Sequence, residues 1–455
     1  MRRHYPVEIL HDKSNLVFIP EELQEKASLK KIAFGNHSSE ADIHLQPSGK
    51  NIISLSSDLA QTLKFPDIKG PLHLFSDHDT LYLGPLVGIF TSGFTPFHIR
   101  PIGERSLFFG KLLSVSKSVG TLSFVFGQQH INWEKGTING LFYQDNGWKS
   151  VEIPFPNVIY DRLPNRKSER QSVLKTAKER LQADYLIPWY NPGFFNKLDV
   201  YERLLQNDEA EKYLPETHSF VSFSEIERML SDYGHVFIKP IHGSLGLGIH
   251  QIIYDKTDEY YYCRYRSTAG HNKLTRYKGL EALMKHVFNG RNLSRMIVQQ
   301  GIHLHRYDQR TVDFRVHTNK NDEGKWVVTA MAAKVAGPGS VTTHINNGGA
   351  IKTIEEIFPD TDDQTQAVHA LTSAALELSE ALDQNMEGII GEVGFDLGLD
   401  RKGKVWLFEA NSKPGRSIFK HPKMKEFDFL TRKFSLAFSV FLTERVITKP
   451  EELFL

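Results

Sequence analysis

Residues 235–250 read HVFIKPIHGSLGLGIH. The apolar run Val236-Phe237-Ile238 has the character of a strand and ends in Lys239 and Pro240. A loop holding Gly243, Ser244, Gly246 and Gly248 follows, after which an apolar strand resumes. Glycines lack Cβ, so their loop lets backbone N–H groups turn toward an anion at close range, and a lysine at the strand end adds a fixed positive charge. The glycines alone fit a tight turn equally well; the strand-Lys-Pro prefix favours a phosphate cradle. No Gly-Lys-Ser/Thr follows them and no third glycine completes a dinucleotide fingerprint, which sets both of those phosphate motifs aside.

Downstream, residues 394–417 read GFDLGLDRKGKVWLFEANSKPGRS. Two apolar-rich runs flank Asp400-Arg401-Lys402-Gly403, a pattern that predicts an antiparallel hairpin. Glu409 and Asn411, two apart, share one face of their strand, with Asp396 roughly opposite on the partner. A hairpin with solvent-facing acids is the plain alternative. Phe408 and Ala410 alternate with Glu409 and Asn411, however, which describes a half-buried strand with one polar face. Carboxylates buried side by side need a cation, and an all-oxygen set with one amide suits Mg²⁺ (or Mn²⁺) that also holds nucleotide phosphates.

Between these signals, Asp313-Phe314-Arg315-Val316 enters a strand, Asn321-Asp322-Glu323-Gly324 turns, and Trp326 to Lys334 forms a second strand leading to Gly337-Pro338-Gly339. Arg315 and Lys334 are either ordinary strand cations or, paired across the hairpin beside a phosphate and metal site, clamps on transferring phosphate or an anionic substrate.

The whole chain has 455 residues, 40% in the apolar set and 24% charged, long enough for two or three domains. With 55 Lys+Arg against 54 Asp+Glu, the net charge of +1 gives no bulk electrostatic argument for nucleic acid or an anionic membrane. The single cysteine, Cys263, excludes an intramolecular disulfide and a cysteine-rich metal site, and reads as a bland residue rather than a nucleophile. The basic start Met-Arg-Arg-His-Tyr-Pro leads into Glu8, His11 and Asp12 rather than an apolar run, so no secretory signal is expected. Leu81 to Phe90, the longest apolar stretch, is too short to span a bilayer. A cytoplasmic protein without a membrane span is expected.

Residues 1–75 carry short β-prone pieces (Leu16 to Ile19, Lys31 to Phe34, Ile52 to Leu55) and read as a small β-rich module. Thr80 to Phe90 then reads as one buried strand opening an α/β domain over 76–184, with a helix near Lys111 to Val119 and a strand at Leu122 to Phe126. The run Val158 to Arg166 passes from an apolar strand into an Arg/Asn/Pro loop, where such folds place ligand groups; a solvated loop is the favoured reading. In 185–455, Val368, Leu371, Ala375, Leu378 and Leu382 predict an amphipathic helix over Gln364 to Asn385. Phe427, Leu430, Phe434, Phe438 and Phe441 predict a second over Glu426 to Ile447, its aromatic stripe in the core.

In this order the pieces over 185–455 resemble an ATP-grasp enzyme. The resemblance implies that Lys197, after Asn196, is the first phosphate-binding lysine and Lys239 with the glycine loop the second. It implies that Gln299, Gln300, Gly301 and Ile302 form the hinge whose backbone holds adenine, and that Asp313, Arg315, Lys334, Asp396, Glu409 and Asn411 complete the set. LGPLVGIFTSG at Leu83 to Gly93, the Phe126-Gly127 to Trp133 segment and Tyr160 to Arg166 further resemble the YheC/YheD family of endospore coat-associated ATP-grasp proteins. The fold so implied is α/β (α+β): an ATP-grasp domain at 185–455, a preceding pre-ATP-grasp α/β domain at 76–184 and the N-terminal β-rich module.

Three positions depart from common relatives. Gln300 stands for a hinge glutamate, Lys334 for an arginine of the glutamate-ligase branch, and His344 lies near an asparagine of that branch before Gly348-Gly349. The function implied is Mg·ATP-dependent ligation of a carboxylate to an amine through an acyl phosphate, in spore coat or spore formation. Arg315, Lys334 and Arg416 would stabilise the intermediate, and ATP, two unidentified substrates and spore coat proteins are the expected partners. The alternatives are a nucleotide-binding structural component of the spore coat without turnover, and a kinase-like phosphotransferase. His303 and His305 read as structural.

Overall fold

The computed structural model describes residues 3–47, 49–68, 70–145, 147–241, 247–267 and 269–454, whose strands assemble into four sheets. The first, eight-stranded, takes up the N-terminal β-prone pieces from Tyr5–Leu10 to Thr80–Gly84. The second, seven-stranded, has Leu86–Phe90 running parallel between Leu122–Phe126 and Val158–Asp161. The expected single strand over Thr80 to Phe90 is therefore two, Thr80–Gly84 in the first sheet and Leu86–Phe90 in the second. Both are buried almost throughout, so the apolar run conceals the change of sheet; Pro85, with no N–H to donate, stands between them. The helix expected near Lys111 to Val119 is a pair, Ser106–Leu113 and Ser116–Val119.

The third sheet orders Thr217–Ser219, Met296–Gln300, His235–Pro240, His250–Asp255, Tyr260–Arg266 and Asn272–Tyr277, antiparallel throughout. Strand alternation sorts its side chains. Val236, Ile238, Ile252, Cys263 and Val298 pack into a core with the helices Phe223–Tyr233 and Leu280–Val287. Phe237, Lys239, Gln251, Arg264 and Gln299 fall on the other face, along a cleft. Burial pushes the Cys263 thiol up to about 12, which leaves it without thiolate character and fits its bland reading.

The fourth sheet orders Ala350–Lys352, Trp326–Val335, Arg310–Lys320, Glu392–Leu399 and Val405–Asn411, with Arg306–Tyr307 paired to Arg310–Lys320 off that path. The helix Thr361–Asn385 covers its apolar face, setting Ala367, Leu371, Ala375, Leu378 and Leu382 in a core with Phe314, Val316 and Phe395. Val368, expected in that stripe, is 36% exposed; Ala367, one position or about 100° around the helix, takes its place. The last long helix is Lys425–Thr448, and its aromatic stripe is only partly core: Phe438 is buried, whereas Phe427 is 42% exposed. Its packed face is built of Thr431, Ser435, Leu436, Ser439 and Val440, and Tyr190 donates a hydrogen bond to the Ser435 carbonyl (2.7 Å).

The segment after Val158–Asp161 is not a solvated loop at its start. Asp161 is fully buried and accepts from Lys413 Nζ (2.6 Å), Trp189 Nε1 (3.0 Å) and the Leu163 N–H (3.0 Å). Lys413 also pairs with Glu169 (2.8 Å), and Arg162 with buried Glu392 (2.8 Å). These pairs join the second sheet to the fourth. Breaking a buried pair strands the remaining charge, so Lys413→Met should lower the unfolding free energy by about 3–5 kcal/mol, measured by urea melts. A loss below about 1 kcal/mol would contradict a structural role for the buried Lys413–Asp161 contact.

Candidate functional site

The third and fourth sheets face each other across a cleft of about 750 Å³. The third sheet contributes Phe237, Lys239, Ile253, Arg264 and Gln299, and the fourth contributes Asp313, Arg315, Lys334, Asp396, Glu409 and Asn411. Lys197 enters as the first residue of the helix Lys197–Leu205, started by Asn196, whose side chain accepts from the Leu198 N–H (3.1 Å). Residues far apart in the chain thus meet on one cavity.

The floor on the fourth sheet alternates in charge. Asp396 stands opposite Arg315 on one neighbouring strand and opposite Glu409 on the other. Arg315 grips both Asp396 oxygens (2.7 and 3.0 Å), and Lys334 bridges Asp396 and Asp313 (both 2.9 Å). Lys334 is registered opposite Asp313, and Arg315 opposite Ala332, so the two cations sit diagonally instead of facing each other. Burial opposes ionisation of Asp396, but Arg315 and Lys334 outweigh it and hold its carboxyl well below the usual range. Asp313, half-buried beside Asp396, is pushed up by its loss of solvent, with Lys334 resisting. Lys197 lies 3.4 Å from Glu409.

Lys239 is buried and donates to Gln299 Oε1 (2.6 Å); Gln299 in turn donates to Thr217 Oγ1 (2.9 Å). Burial pulls the Lys239 ammonium down to about 7, the Lys197 charge adds to this, and Glu409 and Asp396 offset it in part. A lysine held on the edge of deprotonation is a site for an anion, which restores the charge by supplying its counterion.

One feature of the floor was not legible from alternation. Asp396 pairs with Glu409 but Leu397 pairs with Leu407, which leaves Phe408 as the extra residue of a β-bulge. Phe408, expected on the face opposite Glu409, therefore lines the cleft beside it. Gly398 makes this possible, since a Cβ there would lie 2.6 Å from the Phe408 ring. Phe237, Ile253, Leu304 and Phe408 give the cleft an apolar part.

Of the other expected site residues, Ile302 and Arg416 line the cleft. Arg416 spends Nε and Nη2 on Asp428 (3.0 and 2.8 Å). Gln300 and Gly301 do not line the cleft: the Gln300 side chain accepts from the Glu216 N–H (3.0 Å), its own N–H donates to the Glu216 carbonyl (2.8 Å), and the Gly301 N–H donates to the His235 carbonyl (3.0 Å). Gly248, at positive φ, packs near Pro240 outside the lining. Gly243, Ser244 and Gly246 lie outside the described residues. His303 lines the cleft, whereas His305 packs on Phe358. Thr343, Arg264, Arg306 and Arg401 also line it and had not been singled out. Arg264 was within reach of strand alternation, being next to buried Cys263; Thr343 lies in a loop, where no period applies.

The donor set fits a divalent ion. Asp396 and Glu409 bring carboxylates, each with more lone pairs than the protein's cations consume, and Asn411 turns only its Nδ2 to the Gly394 carbonyl (3.4 Å), leaving its oxygen.

Two facing sheets, a lysine at the end of the strand before the glycine stretch, and an acid, Glu-x-Asn hairpin define an ATP-grasp fold. The sequence model of the YheC/D like ATP-grasp family matches residues 186–442, and the chain belongs to that family. It is similar to the endospore coat-associated protein YheD of Bacillus subtilis (strain 168), 41% identical over 439 residues, 96% of each chain. It is 24% identical over 288 residues to the endospore coat-associated protein YheC of the same organism, covering 61% of this chain and 77% of that one. Among solved structures, VanG D-Ala:D-Ser ligase from Enterococcus faecalis superposes with a TM-score of 0.44 at 12% identity, covering 79% of this chain and 99% of the ligase. Among the described residues, no helix is long and apolar enough to cross a membrane.

Proposed function

We propose that the protein is an Mg·ATP-dependent ligase that joins a carboxylate to an amine. The observation that carries this reading is the convergence of Lys197, Lys239, Arg315, Lys334, Asp396, Glu409 and Asn411 on one cleft. Asp396, Glu409 and Asn411 would hold Mg²⁺ (or Mn²⁺), which when bound neutralises phosphate charge and acts as a Lewis acid. Lys197 and Lys239 bind and orient the phosphates of ATP, and Phe237, Ile253 and Phe408 take its base, beside the Gln299 to Ile302 segment.

In such a ligase an oxygen of the substrate carboxylate attacks the γ-phosphorus, the bond to the β-phosphate oxygen breaks, and ADP leaves. The amine then attacks the acyl carbon and phosphate departs, the amine proton passing to solvent. Arg315 and Lys334, which line the cleft, stabilise the negative charge on the transferred group, with Arg416 as a further cation on its wall. No protein nucleophile is needed. The name carried by the YheD relative is the ground on which we assign the product to spore coat or spore formation, and we retain three proposed domains, the last at 185–455, with the boundary expected between 75 and 76 moved to Pro85, where the chain passes from the first sheet to the second.

Purified protein with Mg·ATP and a panel of amino acids and peptides should release ADP and phosphate in a substrate-dependent way and form an amide. Binding of ATP without turnover across a broad panel would favour the structural-component reading, and a phosphorylated product without an amide would favour a kinase.

A further inference from the structure

Residues 337–349 connect Trp326–Val335 to Ala350–Lys352 and wall the cleft beside Arg315 and Lys334 with Ser340, Thr342, Thr343 and His344. The loop is folded on itself. Ser340 N–H donates to the Gly337 carbonyl (3.0 Å) and Asn347 N–H to the His344 carbonyl (2.9 Å). Its ends approach so closely that a Cβ on Gly337 would lie 2.5 Å from the Asn347 carbonyl oxygen, and one on Gly349 2.3 Å from that of Thr343. This compactness makes the loop an element that can be held or released as a unit.

Two sets of contacts hold it. On its own sheet, Thr343 Oγ1 donates to Asp313 Oδ2 (2.6 Å), the acid that Lys334 bridges to Asp396. On the facing sheet, Arg266 Nη1 donates to Asn347 Oδ1 and Asn272 Nδ2 to the Pro338 carbonyl (3.1 Å). Arg266 and Asn272 are cross-strand partners, so both bonds leave one end of the hairpin made by Tyr260–Arg266 and Asn272–Tyr277. Asn347 is 7% exposed and passes the contact on, its Nδ2 donating to Thr342 Oγ1 (2.7 Å). Neither Arg266 nor Asn347 is among the cleft-lining residues.

We infer that Asn347 is a positioning residue which, through Arg266, latches the acceptor-side wall of the cleft to the sheet that carries Lys239. This rests on the proposed function, in which the third sheet holds nucleotide and the loop faces the carboxylate to be activated. Nucleotide draws the two sheets onto one ligand, the latch then fixes the loop, and the acceptor binds a wall whose ordering has already been met. The coupling is reciprocal. Nucleotide and acceptor bind with positive cooperativity, and the acceptor wall is complete only when nucleotide is in place, which limits loss of activated phosphate to water.

The test is hydrogen–deuterium exchange on the full chain with and without Mg·AMP-PNP, whose binding is titrated in parallel. Saturating analogue should slow exchange of the 340–349 amides by about tenfold or more in the unaltered protein. In Arg266→Ala and in Asn347→Ala this slowing should shrink to under about twofold, with the dissociation constant of the analogue changed by less than about threefold. Asn347→Asp, whose carboxylate still accepts from Arg266 and accepts from the Thr342 hydroxyl where Asn347 donates to it, should keep the slowing. Unaltered exchange in the helix Thr361–Asn385 would show that the variants are folded. Full slowing in both alanine variants, or none in the unaltered protein at saturation, would overturn the latch. A failure of the unaltered protein to bind the analogue would instead overturn the nucleotide reading on which it rests.

Discussion

Glu409→Gln should lower substrate-dependent release of ADP and phosphate by at least about a hundredfold, the scale on which a preorganised charge at a reacting phosphate acts. Glutamine keeps the shape of the side chain and removes only its charge. Glu409 faces Asp396 across the hairpin and lies 3.4 Å from Lys197, so it is shared between the proposed ion and the first lysine. Without it, Asp396 is left as the only acid of the proposed ion set, and Arg315 and Lys334 already draw on both of its oxygens. The Mg²⁺ concentration giving half-maximal rate should therefore rise steeply in the variant. A rate within about threefold of the unaltered protein would remove Glu409 from the metal site and with it most of the chemical argument.

Nucleotide affinity should fall as pH rises above about 7, and Lys239 should be the cause. Burial with a second lysine nearby places its ammonium at about 7 in the free cleft. Bound phosphate favours the charged form, so its pKa is higher in the complex. Below about 7 the lysine is protonated in both states and contributes no pH dependence. Above it the free protein must take up a proton to bind, and affinity declines by at most about tenfold per pH unit until the pKa of the complex is passed. Lys239→Met should weaken AMP-PNP binding at pH 7 by about 10- to 100-fold, as expected for one charge-assisted contact, and should lack this slope. The titration of the nucleotide itself is common to both proteins and cancels in the comparison. Equal slopes in the two proteins would contradict the buried-lysine account.

What the amino-acid sequence disclosed and what it withheld follow one division. Strand alternation assigns side chains to faces, and it placed Glu409 and Asn411 on a common side without knowledge of the fold. Hairpin turns bring neighbours into register, so Asp396 opposite Glu409 was readable from the turn at Asp400 to Gly403, closed by a hydrogen bond from Gly403 N–H to the Asp400 carbonyl (3.1 Å). Alternation is blind to bulges, which is why Phe408 was set on the wrong face, and it does not fix which residues stand opposite, which is why Lys334 was paired with Arg315 instead of Asp313. Pairings across hundreds of residues, such as Lys413 with Asp161, leave no periodic trace, and Asp161 was read as part of a solvated loop. The small hydroxyl residues that let the helix Lys425–Thr448 approach its sheets were masked by a more conspicuous run of phenylalanines.

The cleft between the third and fourth sheets should bind a triphosphate with a divalent ion at its end. The most direct measurement of this is a crystal structure of the full chain with AMP-PNP and Mn²⁺, with the ion located by anomalous scattering. Mn²⁺ should lie within roughly 2.0–2.3 Å of oxygens from Asp396, Glu409 and Asn411, with Lys197 and Lys239 on the phosphates. An ion held by other residues, or a nucleotide seated away from Lys239, would contradict it.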